Sequence, residues 1–265
     1  MKGFFLSLQS EFYKSRKTLG FWSAILLPLL LTFFVALGFF IKSAKLAHLP
    51  PQLLWIDFAT PMLGIMGSLL LPMFVIFVAY SVNSIEHKAD TWKTLFTLPI
   101  SKWAIYSAKY LYALLLVLLC LMLFPTLTVG FGNLLGVLKP ELKFSGFHME
   151  KQLYEIYFKL FLGALAILSI QFLLSILWSD FLKPMGIGFV GTIVGVVLFS
   201  SKWEYAYMFP YAQPLLSMAN NDKPKSRALE QVSFDFFTNA TLVSLAIALV
   251  VFIMGYFIVQ RKSIK

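Results

Sequence analysis

Between residues 86 and 103 the chain reads Glu-His-Lys-Ala-Asp-Thr-Trp-Lys-Thr-Leu-Phe-Thr-Leu-Pro-Ile-Ser-Lys-Trp, an island of charge, threonine and aromatic side chains between two long apolar runs. The chemistry its spacing suits is docking. Trp92, Leu95 and Phe96 fall at i, i+3 and i+4 and form one aromatic-apolar face, with Lys88, Asp90, Lys93 and Thr94 turned elsewhere. Proline disfavours helix at the residue before it, so Pro99 ends this short amphipathic helix, and Ser101 stands where an N-cap is needed for the apolar run that follows. A rigid helix with exposed aromatics fits a groove on a partner protein. Glu86 either braces the loop against a basic group, Lys109 being one candidate, or is a solvated surface carboxylate.

Residue patterns for bond-making chemistry are missing. There is no HExxH, no GxSxG and no Cys/His cluster, and no Gly-Lys dipeptide, so the chain cannot contain a P-loop. The expectation is a chain that is not an enzyme, with no catalytic, cofactor or metal residues of its own. Gly186-Ile-Gly188-Phe-Val-Gly191 matches the dinucleotide fingerprint in form, but it opens an apolar run after Lys183-Pro184 instead of following a strand. Gly191 and Gly195, four apart, fit a close-packed helix face. Cys120 is the lone cysteine and forms no intrachain disulfide.

The elements that must carry these residues follow from composition. The 265 residues are 59% hydrophobic and 13% charged, with a mean hydropathy of +0.81, whereas soluble domains carry about 25% charged residues. The apolar residues form six blocks of bilayer-spanning length, at about 21–41, 61–82, 103–125 with an apolar extension to 138, 157–179, 184–201 and 240–259. None alternates as a barrel strand would, so the fold class is an all-α integral membrane protein. The 265 residues form a single transmembrane domain. Residues 1–20 place Phe5, Leu8, Phe12 and Leu19 at helical spacing among polar residues, the pattern of a helix lying in the membrane interface.

Lys2, Lys14, Arg16 and Lys17 before the first span, and Arg261, Lys262 and Lys265 after the last, place both termini in the cytoplasm; 12 of the 22 basic residues then lie inside. The net charge of +10 reflects contact with an anionic leaflet and not nucleic acid. Residues 202–236 form an interfacial or re-entrant segment, or a loop with an aromatic belt of Trp203, Tyr205, Tyr207 and Tyr211. No ionisable residue is central in a span, which argues against a proton relay. The polar groups at depth are Thr126, Thr128 and Gln171, weak candidates for a substrate path beside their ordinary use in helix packing. Pro125 should kink or end its helix.

Glu86, Thr91, Leu95, Pro99, Ser101, Lys102 and Lys109 resemble the first cytoplasmic loop of ABC-2-type permeases, the membrane subunits of type-2 ABC exporters, and Glu11-Phe-Tyr-Lys14 is similar to the N-terminus of that family. In size and layout the lantibiotic-immunity and bacitracin-type branch is nearest. The resemblance implies a bacterial inner-membrane permease that pairs with a second copy or a homologous permease and with two copies of a cytoplasmic ATPase. ATP and Mg would bind on that ATPase, with membrane lipids around the spans. The stretch 86–98 would be the coupling helix, docking through Glu86, Thr91, Trp92, Leu95, Phe96 and Pro99. Its substrates would be amphipathic, lipid-like or antimicrobial peptides. A non-transporting scaffold or assembly factor is the alternative reading; a passive channel is disfavoured, because no span presents a polar stripe.

Overall fold

The computed structural model describes residues 2–97, 99–219 and 235–261, and among them every regular element is helical. In chain order these are α1 (Lys2–Ser15), α2 (Leu19–Ile41), α3 (Ser43–Leu46), α4 (Pro51–Ile65), α5 (Leu71–Lys88), α6 (Trp92–Thr97), α7 (Lys102–Leu138), α8 (Glu150–Leu177), α9 (Leu182–Ser200), α10 (Gln213–Met218) and α11 (Asn239–Arg261). Among the described residues, six stretches are long and apolar enough to cross a membrane: α2, α4 continuing into α5, α7, α8, α9 and α11. The six expected spans are therefore present, several of them longer than their apolar cores.

The second span is two helices joined by a π-turn over Met66–Leu70, where the Leu71 N–H reaches the Met66 carbonyl five residues back. Pro72 lies immediately beyond. It has no N–H to continue the α-helical ladder, and the widened turn absorbs the break.

Pro125 acts differently. Of the two outcomes expected for it, it does not end the third span: α7 runs on from Lys102 to Leu138. In the next turn the hydroxyls bond back along the helix: Thr126 Oγ1 donates to the Met122 carbonyl (2.8 Å) and Thr128 Oγ1 to the Phe124 carbonyl (2.7 Å). At 1.5 Å per residue, the 37 residues of α7 extend about 55 Å, well beyond ~30 Å of hydrocarbon. Its far end meets α4 and the 139–149 connection in a second apolar core of Trp55, Phe58, Leu135, Leu142 and Phe144. Trp55 Nε1 donates to the Phe144 carbonyl there (2.9 Å).

Helix α8 is the most enclosed span, with 72% of its apolar window buried. Small residues let its neighbours approach. Ser244 of α11 donates to the Gly163 carbonyl (3.2 Å), and Gly163 also lies against Ser217 and Pro214 of α10. Residues 206–218 turn inward, burying Tyr211, Ala212, Gln213 and Pro214 against α8 and α9, while Trp203 and Tyr205 stay exposed. This packed segment explains Gly191 and Gly195. A Cβ on Gly195 would stand 2.6 Å from the Tyr211 carbonyl, and one on Gly191 would be 2.7 Å from the Tyr211 ring, so their close-packing partner is this segment and not another span. The remainder of the 202–236 stretch, residues 220–234, lies outside the described residues, as do Lys262–Lys265.

Candidate functional site

One end of the bundle gathers α1, the 89–101 connection, the 178–181 connection and the C-terminal end of α11. Lys102 Nζ reaches the Gln260 carbonyl (3.4 Å), Trp103 packs edge-on against Tyr256, and Tyr80 hydroxyl donates to the Ser179 carbonyl (3.2 Å). At this end α5 closes with a Schellman-type turn. Asp90 adopts a positive φ of 48° and the Thr91 N–H reaches back to the Glu86 carbonyl (3.1 Å). The turn starts α6, whose Leu95 N–H bonds the Thr91 carbonyl (2.9 Å). Ser101 then caps α7, accepting from the Ala104 N–H (3.2 Å), as its position in the sequence predicts.

Under this turn lies a closed ring of four charges. Lys109 of α7 donates to Glu86 Oε2 (2.6 Å), to Glu11 Oε2 (3.0 Å) and to the Val82 carbonyl (3.2 Å), which occupies all three ammonium protons. Lys14 bridges the other oxygen of each carboxylate, Glu86 Oε1 at 3.0 Å and Glu11 Oε1 at 3.2 Å. Two negative and two positive groups balance, and Glu11, Glu86 and Lys109 are buried. Burial acts to lower the Lys14 pKa, but Glu11 and Glu86 outweigh it and hold the ammonium above the ordinary lysine value. The ring joins α1, α5 and α7.

The pairing of Glu86 with Lys109 was one of two readings of the sequence. Glu11 and Lys14 were not foreseen as its other half. The available signal was the spacing Ser7, Glu11, Ser15, a polar stripe at i, i+4, i+8 that is the buried face of α1, while Phe5, Leu6 and Tyr13 face outward.

The expected docking residues divide. Glu86 lies in α5 and is enclosed in the charge ring, so it presents no docking surface. Trp92, expected as an exposed anchor, is half-buried and turned inward: its ring lies 5.7 Å from Lys109 Nζ, and its Nε1–H donates to His87 Nδ1 (3.2 Å). The buried ammonium offers the indole face a cation, which exposure would not. His87 Nε2 faces the Ser175 carbonyl at 2.9 Å. Indole N–H only donates and a carbonyl only accepts, so the ring is neutral with its proton on Nε2. Thr91, Thr94, Thr97 and Pro99 are exposed and Leu95 is half-buried. The side chain of Phe96 lies outside the described residues. The helix expected over 86–98 is accordingly shorter, Trp92–Thr97.

Thr126, Thr128 and Gln171 are not brought together. Thr126 is exposed and bonded to the Tyr154 hydroxyl (2.8 Å), Thr128 is buried against Met62, and Gln171 is buried and donates to the Tyr211 hydroxyl (2.6 Å). Their hydrogen bonds serve helix packing. A polar stripe does exist elsewhere. Asp57, Thr60 and Gly64 on the uncovered side of α4 are exposed, and Ser68 continues the line half-buried through the π-turn. It was missed because the second span was taken to begin at 61.

No curated protein and no solved structure matches the chain. The profile of the family described as "ABC-2 family transporter protein" matches residues 7–195, more than half of the chain, and includes the charge ring, α6 and the polar stripe. A six-helix membrane protein with this match belongs to the ABC-2 transporter family, as the permease component of an ABC transporter.

Proposed function

We propose that this chain is the permease subunit of an ATP-driven exporter, with the α1 end in the cytoplasm of a bacterial inner membrane and α6 as the coupling helix. A separate ATPase, present in two copies with ATP and Mg bound on it, docks on the exposed Thr91, Thr94, Thr97 and Pro99 side of that helix. A second copy, or a homologous permease, completes the path. The observation that carries this reading is the attachment of α6: Trp92 lies on Lys109 of α7, which is bonded to α1 and α5 at once. A push on α6 is therefore delivered to three elements together, including the lower half of a span that already has a π-turn as a hinge.

The path runs along the α4 stripe of Asp57, Thr60, Gly64 and Ser68. One carboxylate and a few hydroxyls in an otherwise apolar, aromatic surround suit amphipathic substrates, lipid-like compounds or antimicrobial peptides among them.

The test is co-purification with the ATPase encoded nearest this chain, followed by a search for compounds that stimulate its hydrolysis. Thr91→Lys with Thr94→Lys should release the ATPase while the helices stay inserted. The double change Trp92→Ala and Phe96→Ala should uncouple hydrolysis from transport. Both variants behaving as wild type would remove α6 from the coupling role, and a chain that captures no ATPase would point to the scaffold reading.

A further inference from the structure

Beside the charge ring, where α1 turns into α2, the surface carries an open crevice of about 540 Å³. Its charged lining is Lys14, Lys17 and Lys88, and its hydroxyl-bearing residues are Thr18, Tyr80, Ser81 and Ser84. The crevice is held open by a rigid junction: Thr18 caps α2 by accepting from the Phe21 N–H (3.3 Å), and Gly20 lies directly against Ser81. Its charge is not balanced. Lys14 is spent on Glu11 and Glu86, whose charges Lys109 also neutralises, whereas Lys17 and Lys88 are exposed and have no acidic partner among the described residues. Two free cations therefore converge on a hydroxyl-lined hollow.

A second crevice, about 260 Å³, lies along the seam between α2 and α5. The two share Phe77. The second is lined by residues one to several turns further from the α1 end, Leu27 on α2 and Leu70, Met73 and Phe74 along the second span, with Met185 of α9 closing the side. It is almost wholly apolar. A basic, hydroxylated hollow that shares the Phe77 wall with an apolar trough along the spans has the form of a phospholipid: phosphate first, acyl chain beyond.

We propose that these two neighbouring crevices together bind one anionic glycerophospholipid, its phosphate between Lys17 and Lys88 and an acyl chain passing Phe77 along the α2–α5 seam. A free phosphate or nucleotide shares the headgroup chemistry but makes no use of the trough. The lipid would stand between the interfacial helix and the second span, so that leaflet composition bears on how firmly the α1–α2 corner is held against α5.

Native mass spectrometry of the full chain, released from nanodiscs containing phosphatidylglycerol or phosphatidylcholine, tests this. The wild type should retain one phosphatidylglycerol and lose phosphatidylcholine. A basic group at a membrane surface is worth roughly a fivefold change in affinity, so Lys17→Gln with Lys88→Gln should weaken retention about 25-fold. Lys45→Gln with Lys143→Gln, exposed lysines at the other end of the spans, should leave it unchanged. Equal retention of both lipids, unchanged retention by the K17Q/K88Q chain, or complete displacement of the lipid by millimolar inorganic phosphate would each overturn the proposal.

Discussion

Replacing Lys109 by Met removes the one group that touches both carboxylates from inside the bundle. Its side chain is 2% exposed, as is that of Glu86, and Glu11 is 3% exposed. After the change two buried carboxylates face one another with only Lys14, 30% exposed, to neutralise them, and the Val82 carbonyl loses its extra donor. Breaking a buried pair by deleting one member costs about 3–5 kcal/mol, because a charge is left uncompensated where water cannot reach it. Lys14→Met removes a solvent-screened cation and should cost only ~1 kcal/mol or less. Glu86→Gln leaves the ring with one excess positive charge. Combining it with Lys109→Met restores balance through the surviving Glu11–Lys14 pair, so the double variant should be more stable than the sum of the singles by ~0.5–3 kcal/mol. The assay is unfolding in mixed micelles followed by helical circular dichroism, run as a double-mutant cycle. Costs that add within ~0.5 kcal/mol, or a Lys109→Met chain no weaker than Lys14→Met, would refute the view that the four charges act as one unit.

A matched pair in α9 tests the role of the 206–218 segment. Gly195→Ala drives a Cβ into the Tyr211 and Ala212 backbone and should destabilise by about 1–3 kcal/mol, whereas Gly186→Ala, with nothing within 4 Å, should change unfolding little. Asp90→Gly should stabilise the α5–α6 turn by up to ~1 kcal/mol, since glycine takes a positive φ without the Cβ clash; a lowered unfolding midpoint would contradict the turn geometry. The raised Lys14 pKa means its contribution is fully present at neutral pH and below the ordinary lysine value, and is lost only as pH rises through that higher value. Raising the pH from neutrality should therefore accelerate protease cleavage near α1 only in strong alkali for wild type, and a step near neutrality would contradict it. Trp92→Phe keeps the ring over Lys109 but deletes the N–H to His87, which should cost about 0.5–1.5 kcal/mol and change the local histidine nuclear magnetic resonance signal.

The class, the span count and the landmarks of the first connection can be read from the residues alone. Long apolar blocks without alternation have no other way to satisfy their backbone in hydrocarbon, and a Ser after a Pro caps a helix by local geometry, so both features are legible one segment at a time. Partner choice is not. Glu86 and Lys109 are 23 residues apart and could be matched by sign, but Glu11, 98 residues from Lys109, joins them only because α1 folds back with its Ser7–Glu11–Ser15 face inward. Trp92 is aromatic in either orientation. The periodicity of α6 marks an apolar face, but whether that face meets a partner or a buried ammonium depends on what α7 places beneath it. The same holds for Gly195, whose spacing announces a close approach without saying that the neighbour is Tyr211. Helix faces are written in the local period; which faces meet is decided by the packing of all the helices at once, because burying one charge is favourable only when its counter-charges arrive with it.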